Sequence, residues 1–132
     1  MIGLDTNILI RFLTQDDVRQ SPIANRILEE RITTNDPGFI SVVTMVEIAW
    51  VLESQFELSR AEVAALIDGL LRIDTIIVQN RKLVLRALDQ VRVGQADFAD
   101  ALTGALCAEA GCDVTLTFDR RASRLKGFEL AV

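Results

Sequence analysis

Short apolar segments alternate along this chain with longer segments in which apolar residues recur at helical spacing. The apolar segments begin at Met1, Phe39, Thr75 and Val114, and each of them is four or five residues long. Strands that alternate with helices in this way form a mostly parallel sheet that helices cover on both sides. The sequence therefore predicts an α/β fold, a three-layer α/β/α sandwich, and residues 1–132 are expected to form a single domain because no linker or repeat divides them.

Capping and turn residues predict where the helices begin. Ser59 and Glu62 form a capping box before an apolar helical face, and Asn80 and Asp97 precede two further helical patterns. Ser21 followed by Pro22 is typical of an N-cap and the first helical position. Residues 39–43 are predicted to form a buried strand, residues 119–126 a short helix and residues 128–132 an edge strand.

Composition excludes several classes of chemistry. The chain contains no histidine, so that Ser-His-Asp triads, Cys-His pairs and histidine-based zinc sites are impossible. Cys107 and Cys112 lack the CxxC spacing of redox or zinc sites and are predicted to be buried free thiols in a reducing compartment. Any catalysis must therefore depend largely on carboxylates.

Charge and hydropathy indicate where such a protein works. The formal net charge of −5 argues against nucleic-acid binding that depends on long-range attraction alone. The N-terminal residues lack the basic and apolar regions of a signal peptide. The most apolar stretch, residues 39–52, is interrupted by Glu47 and is shorter than the roughly 20 residues that a membrane span requires. We therefore expect a cytoplasmic protein that does not enter the membrane.

Two aspartates follow predicted strands. Asp5 ends the first strand and Asp119 the last clear one, and each could simply cap the helix that follows. Because ligands of parallel sheets bind beyond the carboxyl ends of the strands, both side chains are also expected to point into one crevice.

Three further acids lie in apolar surroundings. Glu47 has no local partner between residues 42 and 52, so we expect either a face that reaches water or a bound cation, and the apolar neighbours favour the cation. Asp97 and Asp100, three residues apart, share one face of a helix, although a capping-box variant also explains them. Clustered carboxylates without histidine or paired cysteines form an all-oxygen ligand set, which suits Mg²⁺ or Mn²⁺.

Four sequence blocks stand out in order along the chain: Met1-Ile2-Gly3-Leu4-Asp5-Thr6-Asn7-Ile8-Leu9-Ile10-Arg11-Phe12-Leu13, Val46-Glu47-Ile48-Ala49-Trp50-Val51-Leu52, Asp97-Phe98-Ala99-Asp100-Ala101-Leu102 and Thr117-Phe118-Asp119. Together they resemble the PIN-domain ribonucleases and, within them, the VapC toxins of bacterial toxin–antitoxin pairs. The likeness extends from the first residue to about residue 130. It implies an endoribonuclease that cleaves RNA with Mg²⁺ or Mn²⁺, forms homodimers and is inhibited by a cognate antitoxin.

The resemblance also implies roles for individual residues. Asp5, Glu47 and Asp100 correspond to the core metal-binding and catalytic acids, Asp119 to the fourth, and Asp97 to an auxiliary ligand or a helix cap. Three polar residues are implied to orient those acids or their waters: Thr6, Asn7 and Thr117. A divalent metal in such a site lowers the pKa of a water molecule and so supplies a nucleophile without a histidine base.

Arginines near these acids are candidates for binding the RNA backbone, since guanidinium groups make bidentate contacts with phosphate. They are Arg11, Arg120, Arg121 and Arg124. Two other interpretations stay open. The acids could form a non-catalytic groove that docks a cationic partner. A phosphatase or phospho-acceptor domain is a weaker alternative, since Asp5 is followed by Thr6-Asn7 and no second acid stands at position 7.

Overall fold

The computed structural model describes residues 1–94 and 96–132, and it contains parallel strands and helices in alternation. Three strands form one parallel sheet in the order β1-β2-β3: β1 (Ile2–Gly3), β2 (Gly38–Ile40) and β3 (Ile76–Val78). Gly3 lies opposite Phe39, and Phe39 opposite Ile77. A second parallel pair consists of β4 (Thr115–Thr117) and β5 (Phe128–Leu130). This arrangement confirms the predicted three-layer α/β/α fold, with the strands hydrogen-bonded in two groups rather than in one sheet.

Six α-helices connect the strands: α1 (Thr6–Thr14), α2 (Gln20–Arg26), α3 (Val42–Ser54), α4 (Arg60–Leu71), α5 (Arg81–Arg92) and α6 (Phe98–Glu109). A π-helical turn, Ile27–Arg31, continues α2, and a 3-10 turn, Ala122–Arg124, joins β4 to β5. The predicted capping box is confirmed, because the Ser59 hydroxyl accepts from the Glu62 N–H and the Glu62 carboxylate accepts from the Ser59 N–H. Asn80 is the N-cap of α5 by position, but its side chain makes no capping hydrogen bond.

The hydrophobic core lies between the sheet and the helices. Its fully buried large side chains include Leu9, Ile40, Met45, Ile67 and Leu88, which come from four helices and one strand. Burial of one such side chain contributes about 1.5–3 kcal/mol. The helices that carry the candidate acids, α3 and α6, are fixed in this core by Ile48 and Leu102.

The prediction of a strand over residues 39–43 is wrong at its end. Ser41 is the N-cap of α3, and its hydroxyl accepts from the Thr44 N–H at 3.1 Å. This cap outweighs the preference of Val42 and Val43 for extended backbone, so both residues start a helix.

Three other local predictions are also corrected. Ser21 lies inside α2, buried, and donates to the Arg11 carbonyl oxygen, while the Asp17 carboxylate accepts from the Arg19 and Gln20 N–H groups before the helix. Residues 119–126 form only the 3-10 turn, because Asp119 itself closes that turn. Cys112 is exposed and Cys107 is only half-buried, so they are not the buried thiols that we expected.

Among the described helices, none combines the length and apolar character that crossing a membrane requires.

Candidate active site

The beginning of α6 brings three aspartates into one electrostatic environment. Asp97 is the N-cap of this helix, and its Oδ1 accepts from the Asp100 N–H at 2.8 Å. Asp100 is half-buried. Burial raises the pKa of the Asp100 carboxyl, and the neighbouring carboxylates of Asp97 and Asp119 raise it further, whereas Arg60 lowers it. These carboxylates repel one another, and the Arg60 guanidinium offsets only part of that repulsion at Asp100.

Asp119 occupies the turn that follows β4. Its Oδ1 accepts from the Arg121 N–H at 2.7 Å and from the Ala122 N–H at 3.3 Å. Asp119 therefore caps the turn, which agrees with the capping role that its sequence position allows. The Thr117 hydroxyl accepts from the Asp119 N–H at 3.0 Å. Thr117 therefore orients Asp119, whose carboxylate raises the pKa of Asp100.

Glu47 is exposed on α3, so the less favoured of the two sequence-based alternatives, a face that reaches water, is the one found at this position. The helix instead leaves an apolar stripe in solvent, with Val43 at 65% and Trp50 at 63% exposure on either side of Glu47. The helix is anchored by its opposite face, where Met45, Ile48 and Leu52 are fully buried. Glu47 is therefore solvated, and its surroundings do not require a bound cation.

A cavity of about 250 Å³ lies between α3 and the start of α6 and joins Glu47 to Asp97. Glu53 and Trp50 also line it, together with Phe98. Glu53 was not singled out from the sequence, although it continues the stripe of Glu47 and Trp50 at intervals of three residues. Burial raises the pKa of Glu53, Arg60 lowers it, and Asp97 raises it.

Asp5 lies at the carboxyl end of β1 and begins α1. Its carboxylate accepts from the Thr6 N–H at 2.8 Å. Thr6 is buried, and its Oγ1 has no hydrogen-bond partner in the described part of the chain. Asn7 is exposed and lines a surface pocket with Arg11 and Gln20.

The predicted acids thus fall into two overlapping sets and one separate residue. Asp97 belongs both to the cavity with Glu47 and to the electrostatic set of Asp100 and Asp119, and Asp5 is in neither. Within residues 1–94 and 96–132, no three histidine, cysteine, aspartate or glutamate side chains are grouped closely enough to hold a metal ion.

The chemistry of the donors nevertheless fits a hard divalent cation. Carboxylate and hydroxyl oxygens are the ligands that Mg²⁺ and Mn²⁺ prefer, and Mg²⁺ usually retains several waters and needs only one or two carboxylates from the protein. A buried polar atom without a partner, such as Thr6 Oγ1 beside Asp5, is typical of a position that a water or an ion completes.

The candidate arginines differ in their availability. Arg11 donates from Nη1 to both Asp16 oxygens, at 3.0 and 3.2 Å, and from Nε to Gln20 at 2.9 Å. Its guanidinium therefore joins α1 to the start of α2. By contrast, Arg120, Arg121 and Arg124 are exposed in the segment that follows Asp119 and forms the 3-10 turn.

Comparison with known proteins gives one family. The model of the PIN domain family matches residues 2–127, and no curated protein matches the chain significantly. PIN domains are generally nucleases that act on RNA or DNA and typically use divalent metal ions. Because the match covers nearly all of the sequence and the α/β/α fold agrees with it, the chain belongs to the PIN domain family.

Proposed function

We propose that this protein is a Mg²⁺- or Mn²⁺-dependent endoribonuclease that hydrolyses RNA phosphodiester bonds, and that it is the toxin of a VapBC-type toxin–antitoxin pair. The observation that carries the proposal is the match of residues 2–127 to the PIN domain family, and the electrostatic influence of Asp97 and Asp119 on the half-buried Asp100 near the start of α6 supports it. The toxin role is supported by the resemblance of the four sequence blocks to VapC proteins.

Asp5, Glu47, Asp100 and Asp119 are the proposed metal-binding and catalytic acids, with Asp97 as an auxiliary ligand that also caps α6. When bound, the metal supplies an activated water and neutralises charge on the phosphate. Its binding would relieve the repulsion between the carboxylates around Asp100. Asp5, Asp97 and Asp119 hold their positions by accepting hydrogen bonds from backbone N–H groups, and a carboxylate held in this way can still share its oxygens with a cation.

Backbone groups and neighbouring side chains orient the acids. Thr117 accepts from the Asp119 N–H, and Thr6 places a buried hydroxyl beside Asp5. Asn7, at the exposed start of α1, is the third proposed orienting residue. The Thr117 contact limits the conformations of Asp119 before the substrate binds, which lowers the entropic cost of assembling the site.

Arg120, Arg121 and Arg124 are the proposed contacts for the RNA backbone. They are exposed near Asp119. An RNA chain with one phosphate bound at the acids would place its neighbouring phosphates near these arginines. Arg11 is a proposed contact of lower weight, because it must first exchange its bonds to Asp16 and Gln20.

The remaining partners are proposed from the resemblance. We expect a homodimer, a cognate antitoxin whose tail occupies the acidic groove, and a cytoplasmic location. The net charge of −5 favours a cationic tail in that groove. Sedimentation of the purified chain tests the dimer, and co-purification with the product of a neighbouring reading frame tests the antitoxin.

Cleavage of RNA by the purified chain tests the central proposal. We expect activity with Mg²⁺ or Mn²⁺, its loss in EDTA, and a decrease of about 100-fold or more in Asp5→Asn, Glu47→Gln and Asp100→Asn. Glu109→Gln is the matched control, because Glu109 is exposed at the other end of α6 and is expected to leave activity unchanged. Activity that survives EDTA, or that all three variants retain, would contradict the proposal.

A non-catalytic docking module is the second candidate. It is favoured by one observation, namely that the described residues contain no ready group of three metal ligands. Calorimetry with Mn²⁺ separates the two, since a docking surface predicts no metal binding that depends on Glu47 and Asp100.

A further inference from the structure

The indole of Trp50 is exposed one helical turn after Glu47. Its 63% exposure is unusual for a large aromatic side chain, and it forms one wall of the cavity between α3 and α6. Exposed aromatic side chains next to a nucleic-acid site are the usual platforms on which unpaired bases stack.

The same cavity carries a carboxylate that has no place in the proposed metal site. Glu53 is half-buried in the wall of the cavity, one helical turn beyond Trp50. The nearby Arg60 guanidinium lowers the pKa of Glu53. Phe98 and Ala99 of α6 complete the lining with apolar surface. A volume of about 250 Å³ is small for a complete nucleotide but suits a single planar base.

We propose that Trp50 and Glu53 form a base-binding subsite beside the acidic site, in which an unpaired guanine of the substrate RNA stacks on the indole and donates to the Glu53 carboxylate. The subsite deepens the proposed ribonuclease function and depends on it, since the cavity also includes Glu47 and Asp97. It assigns the substrate class as single-stranded RNA with guanine near the cleaved bond.

The charge of the cavity selects the base over the phosphate. Three carboxylates line it, and they repel an anionic group but accept hydrogen bonds from base N–H groups. Guanine has two adjacent N–H donors on its Watson–Crick edge, which match the two oxygens of one carboxylate. Uracil has a single N–H between two carbonyl acceptors, so it is expected to bind worst.

Intrinsic fluorescence measures this contact directly, because Trp50 is the only tryptophan and the chain has no tyrosine. The full chain is titrated in EDTA, so that metal-dependent cleavage does not occur, with hexauridylate and with hexauridylate that carries one guanosine. We expect quenching and at least about tenfold tighter binding with the guanosine-containing strand. Trp50→Phe should keep most of that affinity, and Trp50→Ala should lose about tenfold, as measured by anisotropy of a labelled strand.

Glu53→Gln is expected to reduce the preference for guanosine over uridine, because an amide offers one acceptor where the carboxylate offers two. Glu57→Gln, exposed in the loop after α3, is the matched control and should keep the preference. With Mg²⁺ added, mapped cleavage positions should lie next to guanosine in the native chain and lose that bias in Glu53→Gln.

Three results overturn the subsite and are distinguishable. If the native chain cleaves RNA but binds both strands equally, without quenching, the subsite is wrong while the ribonuclease function stands. If it neither binds nor cleaves any RNA, both fail. A fluorescence change on dilution of the chain without RNA also overturns the subsite, since it would mean that a second copy covers Trp50.

Discussion

The contact between Gly104 and Phe128 holds α6 against the β4–β5 pair, and a single methyl group tests it. A Cβ at position 104 would overlap Cε2 of the Phe128 ring and lie 3.0 Å from Cζ. At Gly69, in α4, a Cβ would have no heavy atom within 4 Å. The two glycines share a helical backbone and differ in their surroundings.

The expected magnitudes follow from two opposing effects. Alanine is favoured over glycine inside a helix by about 0.8–1 kcal/mol, and this gain applies to both positions. Gly69→Ala is therefore expected to raise the free energy of unfolding by about 1 kcal/mol. Gly104→Ala incurs in addition an overpacking cost of about 1–3 kcal/mol, because the Phe128 ring must move away from the added methyl group. The variants should differ by about 1–3 kcal/mol.

Urea denaturation measures the difference, provided that the slope m stays the same in both variants. Phe128→Leu in the Gly104→Ala background should recover part of the loss, which a double-mutant cycle would report as coupling. A Gly104→Ala variant as stable as Gly69→Ala would refute the close packing described here. The same packing sets the separation of Asp100, on α6, from Asp119, after β4, so Gly104→Ala should also weaken Mn²⁺ binding.

Substitutions at three further positions test the site, with stability measured in buffer that contains EDTA and Mn²⁺ affinity measured in buffer without it. Asp97→Ala should cost about 1 kcal/mol and Asp97→Asn only a few tenths in urea denaturation, because asparagine still caps α6; equal losses would contradict the cap. The pKa of Asp100 is raised in the folded chain. The contribution of this carboxyl to the free energy of unfolding is therefore favourable below the ordinary pKa near 3.9, and it is lost as pH rises through the raised pKa. Asp100→Asn should therefore be more stable than the native chain at pH 7, and this advantage should shrink as pH falls towards 4; a less stable variant at pH 7 would count against the repulsion. Thr6→Val removes a buried hydroxyl that has no partner in the described residues, so stability should stay equal or rise by about 1 kcal/mol while calorimetric Mn²⁺ affinity falls; unchanged affinity would remove Thr6 from the site.

The alternation of apolar and helical segments was sufficient to predict the α/β/α fold, because each strand and helix needs one buried face and the pattern shows it. Caps made within four residues, such as Ser59 with Glu62 and Asp97 with Asp100, were equally accessible. The start of α3 was not, since Val42 and Val43 favour a strand by themselves, and the Val42 N–H donates to the side chain of Gln79, a residue far away in sequence.

The site was harder to predict because it depends on which faces the fold leaves uncovered. The apolar neighbours of Glu47 favoured a bound cation over a face that reaches water, but α3 leaves Val43 and Trp50 exposed beside it. Glu53 enters the same cavity only because α6 begins opposite it, a contact between residues far apart in sequence. Arg11 was chosen for its proximity to Asp5, yet Asp16 and Gln20 bind its guanidinium.

The location of a bound Mn²⁺ ion tests the central claim most directly. In crystals grown or soaked with Mn²⁺, we predict an anomalous peak within coordination distance of oxygens from Asp5 and Asp100, with Glu47 or Asp119 completing the protein ligands and waters the rest. A saturating concentration of Mn²⁺ that gives no peak there, or a peak only at other residues, would contradict the account.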